Sequence, residues 1–357
     1  MCTVNRREFL AKSTAFLSIA AESEILQGAV PGMVAEAVKV DQLAPDVYFH
    51  EGVADPDHAV AVCNNGWILF NDYVLVVDAN YPAGAKMMIS QIRALTDKPI
   101  RFAFDTHHHG DHSYGNQIYV DNGAVPIAHT GALEEMRRAE TGYFGQTPGP
   151  WEDSAQVRTD MKTTKLKPPS VLFPKELYFD DGKHRVELMH LGVAHTHGDA
   201  VAWLPNEKIL FSGDICVNGP YNFAGDGNVG EWIGTLDAAK KLGAEIVCTG
   251  HGPRSVSTVL EDQQAFFKAF QDQVGLTLRE GSAEDVTAQI LSIRAALKHK
   301  PQIARFAMEP SGGTPDFFSA NAHKIYEELT GKKLTALVSL PGWARETHAR
   351  SHGHQLA

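Results

Sequence analysis

Hydrophobic and polar residues change their spacing several times along the chain. From about residue 40, short segments rich in Val, Ile, Tyr and Phe are separated by turn-forming residues, as in "HAVAVCNNGWILFN" (58–71) and "YVLVVDAN" (73–80). Such segments are typical of β-strands joined by tight turns. "PAGAKMMISQIRALT" (82–96) has apolar residues at helical spacing after an early proline, and "PIRFAFDT" (99–106) is again a short apolar strand. Strands and helices are therefore predicted to alternate.

The second half of the chain repeats this pattern and then changes. An amphipathic helix is predicted at 231–243, and after about Val259 the pattern is helical. We therefore predict an α/β domain over residues 40–258 and a helical C-terminal extension over residues 259–357. The extension either covers the core or forms a homodimer interface, and the sequence leaves both open. The strand-like segments of this half lie at 184–192, 199–205, 208–217 and 244–252.

A long segment between the two halves, residues 141–170, is rich in proline and glycine. Its aromatic residues Tyr143, Phe144 and Trp151 lie among turn formers. Long irregular segments in compact domains are either functional lids or disordered. The aromatic residues favour a lid over a substrate pocket, and Tyr221 in "GPYNF" is expected to add to the same apolar wall.

The N-terminus resembles a twin-arginine export signal. Arg6 and Arg7 precede Phe9-Leu10, and a short apolar run follows at 13–21. An amphipathic N-terminal helix is the alternative. As a signal, residues 1–37 would be signal and linker, with cleavage before Val38, and the mature protein would be periplasmic or secreted. No other stretch is long and apolar enough to span a bilayer, so we expect no stable membrane insertion.

The composition restricts the partners of the 357-residue chain. A formal net charge of −11 argues against nucleic acid or an anionic membrane surface as the main partner, and favours a small-molecule substrate. The four cysteines show no C-x-x-C pairing, so neither a zinc ribbon nor a disulfide framework is indicated.

The segment "FDTHHHGDHSYGN" (104–116) carries the strongest chemical signal. Imidazole nitrogens need polar partners, so histidines are rarely crowded for packing alone. His107 and His109 are two positions apart and point to the same side of an extended segment, whereas His108 points away and is expected to be structural. After Gly110, Asp111 and His112 can face a neighbouring point. Two metal-binding pairs are therefore predicted.

Three further candidate ligands follow apolar segments much later in the chain. They are His195 in "VAHTHGDA", Asp214 in "FSGDI" and His251 in "CTGHGP". Ligands at strand ends are held by rigid elements, and glycine or small neighbours leave room for a metal.

The combination H-x-H-x-D-H with later His, Asp and His is similar to the metallo-β-lactamase-fold hydrolase superfamily, over roughly residues 46–253. The resemblance implies a four-layer αβ/βα sandwich with a two-metal site at one edge, and Asp78 as a hydrogen-bonding partner of a ligand. Asp214 would bridge both metals. The first metal would be held by His107, His109 and His195, and the second by Asp111, His112 and His251.

This ligand set suits two zinc ions, although iron or manganese is also accepted. Two divalent ions would share a hydroxide that attacks a carbonyl, with Asp111 as the catalytic residue that orients it or passes on a proton. His197 stands where many relatives carry proline, and we expect it to be a surface or ligand-supporting imidazole rather than an extra ligand. Cys216 is expected to pack beside Asp214.

The leading functional hypothesis is an exported metallo-hydrolase that cleaves C–N or C–O bonds, as β-lactamases and lactonases or esterases do. Asp214 occupies a position that is cysteine in one large subclass of β-lactamases, so the chain also resembles glyoxalase-type thioesterases and phosphodiesterases. A mononuclear iron dioxygenase that acts on persulfides, and a non-catalytic metal-binding protein, are the alternatives from other classes.

Overall fold

The structure is a computed structural model, and it describes residues 40–52, 63–140, 142, 148–280, 283–310 and 316–332. The strands in these residues are β1 Val40–Ala44, β2 Val47–His50, β3 Asn65–Leu69, β4 Val74–Val77, β5 Ile100–Phe104, β6 Val125–His129, β7 Val171–Phe173, β8 Glu176–Asp180, β9 Arg185–Met189, β10 Val201–Leu204, β11 Ile209–Gly213 and β12 Ile246–Thr249. The α-helices are α1 Pro82–Leu95, α2 Gly110–Ser113, α3 Asn116–Asp121, α4 Thr130–Ala139, α5 Pro150–Val157, α6 Val229–Lys241, α7 Thr258–Glu280, α8 Ala283–Lys298 and α9 Phe318–Thr330. Short 3-10 helices lie at Thr159–Met161 and Ala304–Ala307.

The strands form two sheets. The first has the order β1-β2-β3-β4-β5-β6-β7, antiparallel up to β4 and parallel from β4 to β7. The second has the order β12-β11-β10-β9-β8, in which β11 and β12 are parallel and the other pairs are antiparallel. Parallel neighbouring strands end at the same edge of a sheet. The segments that follow β4 and β5 are therefore adjacent in the first sheet, and those that follow β11 and β12 are adjacent in the second.

Strand β4 shows how the sequence builds two cores at once. Successive side chains of a strand point to opposite faces. Leu75 and Val77 enter the core between the two sheets, where Phe211 of the second sheet also lies, while Val74 and Val76 pack under helix α1. A strand buried on both faces has no polar position, which is why "VLVV" is uninterrupted.

Helices cover the outer face of each sheet. Met88 and Ile92 of α1 pack on the first sheet together with residues of α3. Trp232 of α6 packs on the second sheet with Phe267 and Phe270 of α7, and the same core cluster continues into α8 and α9. The layers are therefore helix, sheet, sheet, helix, which confirms the predicted four-layer αβ/βα sandwich with C-terminal helices.

The structure refines several expectations. The proline- and glycine-rich segment predicted to be irregular contains helix α5, where Pro150 occupies the first turn and the Glu152 side chain accepts a hydrogen bond from the Gly149 amide at 2.8 Å. The C-terminal helices cover the core, and one cluster spans residue 258, so the domain boundary there stays a prediction. The predicted export signal, residues 1–37, lies outside the described residues. Among the described helices, none is long and apolar enough to cross a membrane.

Candidate metal centre

The seven residues predicted as metal ligands come together at one edge of the sandwich. They follow β5, β11 and β12 directly, or lie in the segment between β9 and β10. Their ligand atoms form three overlapping groups in which all atoms lie within 4.8 Å of one another. The first group is His107 with His109 and His195, and the second is Asp111 with His112 and His251. The third, His107 with His112 and Asp214, shares one histidine with each of the other two.

In the first group, each imidazole is oriented by a hydrogen bond at the nitrogen that faces away from the other rings. His195 Nδ1 lies 2.6 Å from the Phe223 carbonyl oxygen, and His109 Nε2 lies 3.0 Å from Asp226 Oδ2. His195 Nε2 and His109 Nδ1 then face each other at 2.8 Å. Partners of this kind fix the tautomer of a histidine and leave its other nitrogen as a ligand atom.

In the second group, His112 is oriented in the same way. His112 Nδ1 lies 3.0 Å from Asp78 Oδ2, and its Nε2 lies 3.4 Å from His251 Nε2. His251 Nε2 lies 3.2 Å from Asp111 Oδ2. The Asp78 carboxylate therefore lies on the side of a predicted ligand that faces away from the other imidazoles.

Asp214 lies between the two groups. Its Oδ2 is 3.4 Å from His195 Nε2, and its Oδ1 is 3.4 Å from His112 Nε2. Glycines make room for it, because a Cβ at Gly250 would collide with Asp214 Oδ1, and Gly213 before it adopts a φ of 49°. One carboxylate therefore touches both histidine groups.

The charges of the site favour cation binding. Burial, with the neighbouring imidazoles, holds the pKa of His107 well below its usual range, and burial lowers the pKa of His195 to about 4. Both rings are then neutral at pH 7 and carry the lone pairs that a metal requires. Burial opposes ionisation of Asp214, but the His251 and His112 side chains outweigh it and lower its pKa well below the usual range. His107 and His195 are therefore neutral beside an ionised carboxylate. At His251 the Asp214 and Asp111 carboxylates outweigh burial and raise the pKa to about 9, so a cation bound there would take the place of a proton.

Two atoms of this site test whether a metal fits. His107 Nε2 is buried and forms no hydrogen bond with any residue that the structure describes, and Asp214 Oδ1, also buried, has only the 3.4 Å approach of His112 Nε2. A buried polar atom without a partner costs about 1–3 kcal/mol, so such atoms indicate a missing one. Imidazole and carboxylate donors around one carboxylate suit two divalent cations, zinc above all. The residues present therefore fit the implied metals.

The other predicted residues have different surroundings. His197 is exposed, and it belongs to none of the groups of candidate ligand atoms in the described residues. The Tyr221 ring lies 5.8 Å from the His251 ring, so it borders the site. Trp151 is buried at 7% exposure against Tyr114, with ring centroids 4.8 Å apart, and its role as a pocket wall stays a prediction. Tyr143 and Phe144 lie outside the described residues.

Sequence reasoning missed three contributors. Asp226 and the carbonyl of Phe223 orient His109 and His195. Cys63, which is buried, donates a hydrogen bond from Sγ to the Asp111 carbonyl at 2.8 Å. Burial raises the pKa of its thiol to about 12, so Cys63 stays protonated. An aspartate between two glycines directly before a predicted helix, as in "FAGDGNVG", could have indicated Asp226 from the sequence. The carbonyl of Phe223 could not be predicted, because every residue has a backbone carbonyl.

Three of the four cysteines lie in the described part of the chain. Cys63, Cys216 and Cys248 are free and buried, in agreement with the absence of a disulfide framework in this part of the chain. Cys216 lies in the core cluster beneath the second sheet, as a packed neighbour of the segment that carries Asp214.

Comparisons with known proteins agree with this geometry. A family model described as "Metallo-beta-lactamase superfamily" matches residues 59–251, more than half of the chain. The chain is 24% identical over 236 residues to a "Metallo-beta-lactamase type 2" of Bacteroides fragilis, covering 64% of this chain and 84% of that protein. Among solved structures it is similar to a metallo-beta-lactamase from Pontibacter korlensis, with a TM-score of 0.53 and 18% identity over 65% of this chain and 99% of that one. The DIM-1 metallo-beta-lactamase gives a TM-score of 0.51 at 18% identity, over 65% and 97%. At this level of sequence identity, the similar structures show only that the fold is shared.

Proposed function

The chain belongs to the metallo-beta-lactamase superfamily, and we propose that it is a metal-dependent hydrolase that cleaves a C–N or C–O bond at a carbonyl carbon. The observation that carries the proposal is the position of Asp214, whose two oxygens lie 3.4 Å from His195 Nε2 and 3.4 Å from His112 Nε2. A carboxylate that touches both histidine groups is suited to bridging two cations. A site for one metal would not need the second group.

When bound, two divalent ions would lower the pKa of a shared water toward neutrality and polarise the carbonyl of the substrate. Asp111 has the most exposed of the three carboxylates in the cluster, at 18% against 3% for Asp78 and 6% for Asp214. It would orient the attacking water and accept its proton, which then passes to the leaving nitrogen or oxygen. His107, His195 and Asp214 are buried and would hold their positions throughout the reaction.

The substrate class is proposed from similarity and site chemistry together. The curated relative and the similar structures are named metallo-beta-lactamases, which supports β-lactams, while the carboxylate at position 214 supports lactones and esters equally. Tyr221 and Phe223 beside the histidines would favour a substrate with an apolar group. We further propose that residues 1–37 direct export, which would bring such small molecules within reach.

The first experiment is elemental analysis of the purified protein with three variants. We expect about two zinc ions per chain, from the two-cation geometry, and less metal in His195→Ala and Asp214→Ala. His197→Ala removes an exposed imidazole and is the matched control, which should keep its metal. One iron per chain would move the protein to the dioxygenase class, and a folded protein without bound metal would contradict the proposal. β-Lactams, lactones, thioesters and phosphodiesters would then be compared as substrates.

A further inference from the structure

The segment of residues 217–228, called here the ligand-support loop, orients two ligands of the first group and lies beside one ligand of the second. The Phe223 carbonyl oxygen lies 2.6 Å from His195 Nδ1, and Asp226 Oδ2 lies 3.0 Å from His109 Nε2. The Tyr221 ring lies 5.8 Å from that of His251. A shift of this loop would therefore turn the rings of the first group away from their common point.

The ligand-support loop contains no strand or helix of its own, so its backbone must be held by other elements. Its middle is held by Asn321 of helix α9, which is 2% exposed. Asn321 Oδ1 accepts a hydrogen bond from the Ala224 amide at 2.9 Å, and Nδ2 donates to the Asn222 carbonyl at 2.9 Å. These two bonds lie on either side of Phe223, so they fix the carbonyl that orients His195.

Both ends of the loop are held by the same set of helices. Gln263 of α7 accepts from the Val217 amide at 2.8 Å and donates to Asn222 Oδ1 at 3.1 Å. Glu328 of α9 accepts from the Val229 and Gly230 amides, at 2.9 and 3.2 Å, where α6 begins. The loop is thus gripped at its start, middle and end.

All of these gripping residues lie beyond residue 251, where the match to the family model ends. We propose that the C-terminal helices are a brace for the metal centre, with Asn321 as a positioning residue that acts through the ligand-support loop on His195 and His109. The proposal rests on the metal centre proposed above. It gives the extension a role in metal affinity that covering the core would not require.

The test compares Asn321→Ala with Leu329→Ala, a control in the same helix whose side chain is 49% exposed. Metal content is measured after equilibration with graded chelator, and hydrogen–deuterium exchange over residues 222–228 is measured in the metal-free protein. In Asn321→Ala we expect one of the two ions to bind about tenfold more weakly, the lower end of the effect seen for partners of ligands. Exchange over 222–228 should become faster, because the Ala224 amide loses its acceptor. The control should change neither.

Unchanged affinity and exchange in folded Asn321→Ala would overturn the brace, and so would equal weakening of both ions, which indicates general destabilisation. If Asn321→Ala does not fold, the comparison uses Asn321→Asp, which keeps the acceptor for the Ala224 amide but replaces the donor to the Asn222 carbonyl with a carboxylate oxygen that repels it. Failure of the wild-type protein to bind metal would instead contradict the metal centre, and the brace with it. The two failures are therefore distinguishable.

Discussion

Asp78 Oδ2 lies 3.0 Å from Nδ1 of His112, on the side of the ring opposite the candidate metal centre. The other oxygen, Oδ1, accepts a hydrogen bond from the Thr106 amide at 2.8 Å. Asp78 directly follows β4 and adopts a φ of 64°, a conformation that aspartate and asparagine tolerate better than most residues. The carboxylate is therefore fixed by its own backbone and by the segment that carries the histidines.

The first prediction concerns this carboxylate. Asp78→Asn keeps the backbone conformation and one acceptor, but it places an amide donor or a neutral oxygen against His112 Nδ1. We expect the affinity of the second group for its cation to fall about 10- to 100-fold, the usual cost of losing the partner of a ligating histidine. Metal content against chelator concentration measures the effect. Asp72→Asn, an exposed aspartate six positions earlier, is the control.

The second prediction concerns Asp226, which plays the same part for His109. Asp226→Ala removes the acceptor at 3.0 Å from His109 Nε2, so this ring can rotate and its tautomer is no longer fixed. The first group should then bind its cation about 10- to 100-fold more weakly, while the second group keeps its own. Combining the two substitutions should weaken the binding of both cations. Loss of the same ion in Asp78→Asn and Asp226→Ala would contradict the assignment to separate groups.

The candidate ligands could be predicted from the sequence because their residue types and their spacing identify them. H-x-H-x-D-H sits on one segment, and His195, Asp214 and His251 each follow an apolar run. The residues that orient them obey no such spacing. Asp226 lies 117 positions after His109 in the sequence, and His195 is oriented by a main-chain oxygen, which any residue would supply.

The fold divides in the same way. Segments rich in Val, Ile, Tyr and Phe between turn formers predict strands, and the structure has strands at Asn65–Leu69 and Val74–Val77. That the second of these is buried on both faces was learned from the structure. The helical pattern after Val259 showed that each helix has an apolar face but not what that face touches. Phe267 packs against Trp232 of α6, so the extension covers the core. A homodimer stays a prediction.

The third prediction tests whether this extension and the sandwich unfold together. Phe267 is fully buried, and its ring lies 4.5 Å from that of Trp232, whose Nε1 donates to the Ile215 carbonyl. Phe267→Ala should lower the free energy of unfolding by about 3–5 kcal/mol through lost burial and the cavity left behind. Urea denaturation followed by tryptophan fluorescence and by circular dichroism should give one coincident transition.

Leu276→Ala in the same helix is the matched control, because that side chain is 40% exposed. Its effect should stay within about 0.5 kcal/mol. Two separate transitions in the wild-type protein, with Phe267→Ala shifting only one, would show that the extension is an independent unit.

Glu140, just after α4, is a buried carboxyl group outside the metal centre. It is 2% exposed, accepts a hydrogen bond from the Tyr114 hydroxyl, and accepts another from the Trp151 amide at 2.8 Å. Burial raises its pKa to about 7, and these hydrogen bonds oppose the shift without cancelling it. Glu140 therefore joins α5 to the segment after α2 through a group whose charge changes near neutral pH.

The fourth prediction follows from the sign of this shift. Because the folded pKa exceeds the ordinary value of 4.5, the folded state holds the proton more tightly, and stability falls as pH rises through the folded pKa. The stabilisation from Glu140 is complete below pH 4.5 and lost above pH 7, an upper limit of about 3 kcal/mol. Glu140→Gln cannot lose a proton, so its free energy of unfolding relative to wild type should rise by up to that amount between about pH 5 and about pH 8. The side-chain amide nitrogen of the glutamine would face a hydrogen-bond donor. This mismatch changes the free energy of unfolding by the same amount at every pH, so it does not alter the slope of the pH profile. Glu134→Gln, exposed on α4, controls for lost charge, and parallel pH profiles for wild type and Glu140→Gln would rule out the titration.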